Sequence, residues 1–313
     1  MLFPFKLISQ YREYIWGGNR LRPNNGKTAE AWIVYEGNQI ADGPLAGLTL
    51  AEAAEKNASA LLGDKVLAQS GTRFPLLIKL LDCLDWLSLQ VHPNDEQAEQ
   101  LEGPGHFGKT EAWFVVEADD GAQLLGGFRP NVTSAEIAAS LRVGGILDLV
   151  QRHAVQTGDA IVIPAGLIHA LGPGLLIYEV QQTSDITYRV YDWDRPMTAG
   201  RKLHLEQAQV ALNPDLEGKL IPGSSFKGKQ RASLVSCNYF SLELISGEAE
   251  AIGFDTQGKS FSVLTVLDGK VLVQGDGWQS ELGHFESLVI PAVCGKHRLD
   301  LLETSRVLRA YVP

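Results

Sequence analysis

The chain has 313 residues, 45% of them apolar and 20% charged. This ordinary globular mixture excludes disorder over most of its length and leaves room for one large domain or two smaller ones. Lys plus Arg number 27 against 37 Asp plus Glu, a formal net charge of −10, and an acidic surface repels nucleic acid and anionic lipid, so neither is expected as a partner. A phosphorylated metabolite then needs a site that gathers positive charge locally.

In chain order, the opening MLFPFKLISQ has a short apolar run broken by Lys6 and no cleavage site after it, so no signal peptide is expected. AEAWIVYEG reads as the first strong strand. Thr49-Leu50-Ala51-Glu52 is a capping box that opens a helix through about Leu62. Asn94 to Leu101 reads as a short helix, EAWFVVEAD as a strand, and Thr133-Ser134-Ala135-Glu136 as a second capping box, with a helix through about Leu141. Ala160 to Tyr178 holds no charged residue and is long enough to cross a bilayer, but Pro164, Gly166, Gly172, Pro173 and Gly174 make it strand, turn and strand in a core. A helix is expected near Leu203 to Leu212, and Asn213 to Arg231 reads as a polar connection. Short strands then recur to the C-terminus: FSLELISG, FSVLTVLDGKVLVQG, ESLVIPA and SRVLRAYVP. Cys83, Cys237 and Cys294 cannot all pair and fit no zinc-finger spacing, which points to reduced thiols and a cytoplasmic setting.

GDAIVIPAGLIHAL (158–171) and GHFESLVIPAVCGKHRL (283–299) share a glycine, a β run, Ile-Pro-Ala and a His. Both resemble the second half of a cupin signature. The first fits tightly through Gly158, Pro164, Gly166 and His169, and the second is stretched. The expected fold is mainly β: two cupin-type jelly rolls with a few helices packed on the N-terminal one. The expected domains are 1–231, catalytic, and 232–313, a degenerate jelly roll without a metal site.

Gly103 to Thr110 satisfies the P-loop pattern, but a P-loop follows a strand and opens a helix. Here a helical stretch precedes it and a strand follows, so nucleotide binding is rejected. Tyr191-Asp192-Trp193-Asp194 is likewise not taken as a glycosidase carboxylate pair, since acids at i and i+2 are common in loops.

The chemistry is expected elsewhere. Gln90 and His92 are i and i+2 on a strand and share a face. With His169 and Glu111 they supply two imidazoles, a carboxylate and an amide oxygen, a four-ligand set suited to zinc, manganese, iron or cobalt. A satisfied core histidine is the better reading of any single His, and it is kept for His106, His153, His204, His284 and His297.

LLIKLLDCLDWLSLQVHPND, GKTEAW, PAGLIHAL, IYEVQQTSDITYRVYDWDR and the opening YIWGG together resemble the type I mannose-6-phosphate isomerases, zinc-dependent cupin enzymes, in their short bacterial form. The resemblance runs from about Tyr14 to Arg195. It implies one divalent ion per chain, zinc, held by Gln90, His92, Glu111 and His169. It also implies Arg189, Lys109 and Glu179 as catalytic residues, with Ser88, Lys79 and Arg195 at the substrate phosphate. Arg195 stands where the larger enzymes carry a lysine, and Thr110 where they carry a proline. The implied reaction interconverts mannose 6-phosphate and fructose 6-phosphate through an enediol, on a small sugar-phosphate substrate, in a monomer or weak homo-oligomer. A non-catalytic sugar-phosphate sensor on the same fold has no need of Lys109, Glu179 and Arg189. An iron cupin dioxygenase has no need of a Gln ligand or a cationic cluster.

Overall fold

The computed structural model describes residues 2–196 and 201–313. The protein is mainly β and cupin-type. One sheet has the strand order Gln10–Arg12, Glu30–Val34, Leu76–Cys83, Leu175–Gln182, Glu111–Ala118, Ala160–Ile163, Lys219–Ile221, and a second has Tyr188–Tyr191, Leu89–Val91, His169–Leu171, Gln123–Phe128, Val150–Ala154. Leu81, Trp113, Val115, Leu124, Ile161, Leu171 and Ile177 come from both sheets and share one buried cluster. The C-terminal strands make two further sheets, Arg231–Ser236, Ser241–Gly247, Ser305–Tyr311, Ser262–Asp268, Ser287–Ile290 and Ala251–Asp255, Lys296–Leu301, Val271–Gly275, Trp278–Leu282. Ile245, Phe254, Val266, Leu288 and Leu299 form the core there.

By its contacts the chain divides into two compact units, Met1–Gln10 with Trp32–Ile78 and Phe226–Pro313, and Tyr11–Ala31 with Lys79–Ser225. The strands from Arg231 onward thus share a unit with two earlier segments. Every residue of the site described below lies in the second unit.

The capping boxes form as their sequences require. Thr49 accepts the Glu52 N–H and Glu52 the Thr49 N–H, opening the helix Leu50–Leu62. Thr133 and Glu136 do the same for Ser134–Val143. Asn94 and Gln97 cap Asp95–Glu102, and Leu205–Ala211 is the last helix. The uncharged stretch from Ala160 resolves into Ala160–Ile163, His169–Leu171 and part of Leu175–Gln182. Among the described residues no helix is long and apolar enough to cross a membrane.

Two elements depart from the expectation. A helix Asp64–Ser70 follows Gly63 with no side-chain cap to announce it. The segment read as a connection contributes a strand, Lys219–Ile221, that pairs antiparallel with Ala160–Ile163.

Candidate metal centre and active-site cleft

Register aligns the candidate ligands. Gln90 lies directly opposite His169 and Arg189 directly opposite Gln90, so three side chains step across one sheet on one face. In the other sheet Gln181 opposes Glu111 and Glu179 opposes Trp113. Period-two alternation puts Glu111 and Trp113 on the same side.

His92, Glu111 and His169 are all buried, with donor atoms within 4.8 Å of one another. His169 Nε2 is 3.3 Å from Glu111 Oε1, and His92 Nε2 is 3.6 Å from Glu111 Oε2. A tetrahedral ion with ligand distances of about 2.1 Å holds its donors about 3.4 Å apart, so these spacings suit a divalent metal.

The hydrogen bonds set the tautomers. His92 Nδ1 is 2.8 Å from the Ile186 carbonyl, and His169 Nδ1 is 2.8 Å from that of Leu167. A carbonyl only accepts, so each Nδ1 carries the proton and each Nε2 presents a lone pair inward. Burial pushes His92 well below its ordinary pKa and His169 down to about 4, which keeps both neutral, as ligation requires.

Glu111 is the strained member. Burial, with Glu179 adding to it, raises its carboxyl to about 7 against the opposing pull of Lys109. Apart from the Lys109 ammonium, neither oxygen has a hydrogen-bond partner among the described residues. A buried carboxylate in this state calls for a cation, so the donor set fits a divalent metal. Gln90 sets its amide nitrogen 3.3 Å from His169 Nε2, and a half-turn of the amide brings its oxygen to the same place.

Lys109 Nζ lies 3.1 Å from Glu111 Oε2 and 3.3 Å from His92 Nε2. The Lys-Thr-Glu segment is fixed from several sides. The Lys109 N–H donates to the Pro93 carbonyl, the Thr110 N–H to Gln182 Oε1 at 2.9 Å, and the Ala165 N–H to Thr110 Oγ1 at 3.3 Å. The glycines of the P-loop look-alike have structural work. Gly103 caps the helix Asp95–Glu102 at φ 103. Gly108 runs so close that a Cβ there meets the Asn94 carbonyl carbon at 2.5 Å. The order is helix then strand, the reverse of a phosphate-binding loop.

Beside this cluster opens a cleft of about 220 Å³, whose lining includes Lys79, Ser88, Gln90, Lys109, Glu179 and Arg189. Lys79 is pinned between two acids, 3.3 Å from Glu179 and 3.8 Å from Glu30. Burial opposes its charge, but Glu30 and Glu179 outweigh that and hold it protonated. Glu179 also accepts the Trp113 indole N–H at 2.8 Å. Burial favours its neutral form, and Lys79 and Lys109 reverse this and lower its pKa.

Arg195 is a correction. It does not line the cleft. Its guanidinium donates to Asp85 Oδ2 at 2.8 Å, to the Trp86 carbonyl at 2.7 Å and to Asp192 at 3.3 Å. These acceptors take three of its five donors. Arg201 lines the cleft instead, with Tyr14, Glu30, Asp185 and His204. His204 therefore leaves the group of plain core histidines, while His153 stays in it, 3.0 Å from the Gly126 carbonyl. One signal for Glu30 was in the sequence: Glu-Ala-Trp occurs at Glu30 and again at Glu111. Nothing local marks Arg201.

Comparisons with known proteins agree with this geometry. The family signature described as phosphomannose isomerase type I, catalytic domain, matches residues 4–109. The probable mannose-6-phosphate isomerase GmuF of Bacillus subtilis is 34% identical over 96% of this chain and 97% of its own. The mannose-6-phosphate isomerase of Streptococcus mutans is 34% identical over 96% of both chains. The crystal structure of a Bacillus subtilis mannose 6-phosphate isomerase superposes with a TM-score of 0.85 at 28% identity, covering 99% of both chains. Near-full-length identity at this level, on a shared fold, leaves one conclusion: the chain belongs to the type I phosphomannose isomerase family.

Proposed function

We propose that this protein interconverts mannose 6-phosphate and fructose 6-phosphate, with one zinc ion held by Gln90, His92, Glu111 and His169. The observation that carries the reading is a single cleft bordered by Gln90 and Lys109 of the donor cluster, by the Lys79–Glu179 pair and by Arg189. Two neutral imidazoles and a carboxylate at tetrahedral spacing favour zinc among the divalent ions. When bound, the ion supplies a Lewis acid for the sugar carbonyl and hydroxyls.

The reaction moves a proton between adjacent carbons through an enediol and needs a group that carries it. Lys109 touches the donor cluster and lines the cleft, so it is assigned this role. Glu179, the other candidate, has one oxygen on Trp113 and the other against Lys79, which suits it to holding Lys79 in its charged form. Arg189, one strand beyond Gln90, is assigned the charge that develops on the substrate oxygen. Ser88 and Lys79 are assigned to the polar wall that receives the sugar phosphate.

All of these residues precede residue 231. The proposal therefore includes a catalytic stretch, 1–231, and a C-terminal jelly roll, 232–313, without a metal site of its own. The three cysteines are free thiols, and a cytoplasmic setting belongs to the same reading. A coupled assay that detects fructose 6-phosphate tests it: the metal-loaded protein is expected to turn over mannose 6-phosphate, and no turnover overturns the reading.

A further inference from the structure

Arg201 is only 9% exposed and Asp192 6%. Arg201 Nε donates to Asp192 Oδ2 at 2.6 Å and its Nη2 to Oδ1 at 2.8 Å. This side-on, two-point contact fixes the plane of the guanidinium. Among the described residues it uses two of five N–H donors, and Arg201 also lines the cleft. Asp192 is itself braced by Arg195, which is tied in turn to Asp85 and the Trp86 carbonyl. The support is thus assembled before any ligand arrives.

The neighbouring side chains point to an anion. Arg189 also lines the cleft, and its Nε is buried with no hydrogen-bond partner among the described residues. Burial, with the adjacent charge of Arg201 adding to it, lowers its pKa against the opposing pull of Asp192, and the two guanidinium groups border the same cleft. His204 adds a donor. Its backbone N–H bonds the Arg189 carbonyl at 2.8 Å, and its Nδ1 accepts the Arg189 N–H at 3.3 Å. The ring proton is therefore on Nε2.

The order of these groups sets the direction. His169, Gln90 and Arg189 lie on successive strands, and His204 follows Arg189. Arg189 thus stands one strand, about 4.8 Å, beyond Gln90 on the side away from His169, with His204 against it.

We propose that Arg201, held in place by Asp192, anchors the substrate phosphate at the end of the cleft remote from the donor cluster, with Asp192 as its positioning residue. The inference rests on the sugar-phosphate reading above. It separates the work of the two arginines: Arg189 meets charge that appears during the reaction, and Arg201 meets charge present throughout. A phosphate monoester is largely a dianion at neutral pH, and a fixed planar fork is the side chain suited to it.

The test uses the metal-loaded, full-length enzyme with mannose 6-phosphate as substrate and inorganic phosphate as competitor. Contact with a charge equal in ground and transition states raises KM and leaves kcat nearly unchanged. Arg201→Ala is expected to raise KM by about 10- to 100-fold, and to weaken phosphate inhibition by a similar factor. Arg201→Lys, which keeps charge but not the fork, is expected to fall between the two. Asp192→Asn is expected to raise KM and the phosphate inhibition constant together at near-normal kcat, a split that general destabilisation does not produce. If Arg201→Ala does not fold, Arg201→Lys and Arg201→Gln give the same reading. Unchanged KM and phosphate inhibition in the folded Arg201 variants overturn the proposal while leaving the isomerase reading intact. A wild-type protein that binds inorganic phosphate through Arg201 in calorimetry but shows no isomerase turnover overturns the isomerase reading and supports the anion anchor.

Discussion

Lys79 and Glu179 face each other at 3.3 Å with side chains only 4% exposed. Neither charge is tolerable there alone, and Glu30 completes the group at 3.8 Å from the same ammonium. Removing the cation takes from two buried carboxylates the ammonium that lies between them. Lys79→Met should therefore destabilise the fold by about 3–5 kcal/mol, measured by chemical denaturation, besides abolishing activity. Wild-type stability in that variant contradicts the pairing.

The donor cluster makes a separate prediction about metal. His92→Ala and His169→Ala each remove one of the strong donors gathered in the site, so metal content should fall far below one ion per chain, with activity following. Lys109→Met should retain the ion, because Lys109 is not a ligand, yet lose turnover. Elemental analysis of the purified variants decides this, and full metal in both His variants refutes the site.

For Arg189 the expected signature is kinetic. A charged donor aimed at an oxyanion typically contributes about 3–4 kcal/mol to the transition state, so Arg189→Ala should slow kcat by roughly 10² to 10³ with a smaller change in KM. A large KM defect at near-normal kcat assigns Arg189 to the phosphate instead.

His297, in the C-terminal jelly roll, gives a pH dependence away from the cleft. It is 5% exposed, donates from Nδ1 to the Gly295 carbonyl at 2.9 Å, and burial, helped by Arg309, lowers its pKa. Below about pH 6.5 the unfolded chain takes up a proton that the folded one resists. The unfolded state then binds more protons, and stability falls as pH drops until the folded value is passed. His297→Asn keeps a donor for Gly295 without titrating, so it should lose less Tm than wild type between pH 7.5 and pH 5, with metal content unchanged. Equal losses in the two proteins contradict the shift.

How much of this was legible in the sequence depended on how local each signal was. Gln90 and Glu111 sit on strands whose alternation fixes their facing, His92 lies just past the end of the strand Leu89–Val91, and the Pro164–Gly166–His169 spacing fixes the turn into the next. The helices at Thr49 and Thr133 announced themselves through reciprocal caps three residues apart. The helix Asp64–Ser70 has no such cap, and Lys219–Ile221 is too short to show alternation. Three positions around the cleft, Arg195, Arg201 and His204, depend on tertiary contacts. The resemblance implies Arg195 at the phosphate, whereas its guanidinium bonds Asp85, Asp192 and the Trp86 carbonyl. Arg201 and His204 reach the cleft through contacts with Asp192 and Arg189, partners 9 and 15 residues away, which no motif records.

The central claim is that the His92–Glu111–His169 cluster holds a metal on which mannose 6-phosphate isomerisation depends. The most direct measurement is the coupled isomerase rate of the purified protein before chelation, after chelation and dialysis, and after adding back one equivalent of zinc. The predicted result is turnover that falls to near background with the metal and returns with zinc, while circular dichroism stays native throughout. Full turnover in protein shown by elemental analysis to be metal-free contradicts the account.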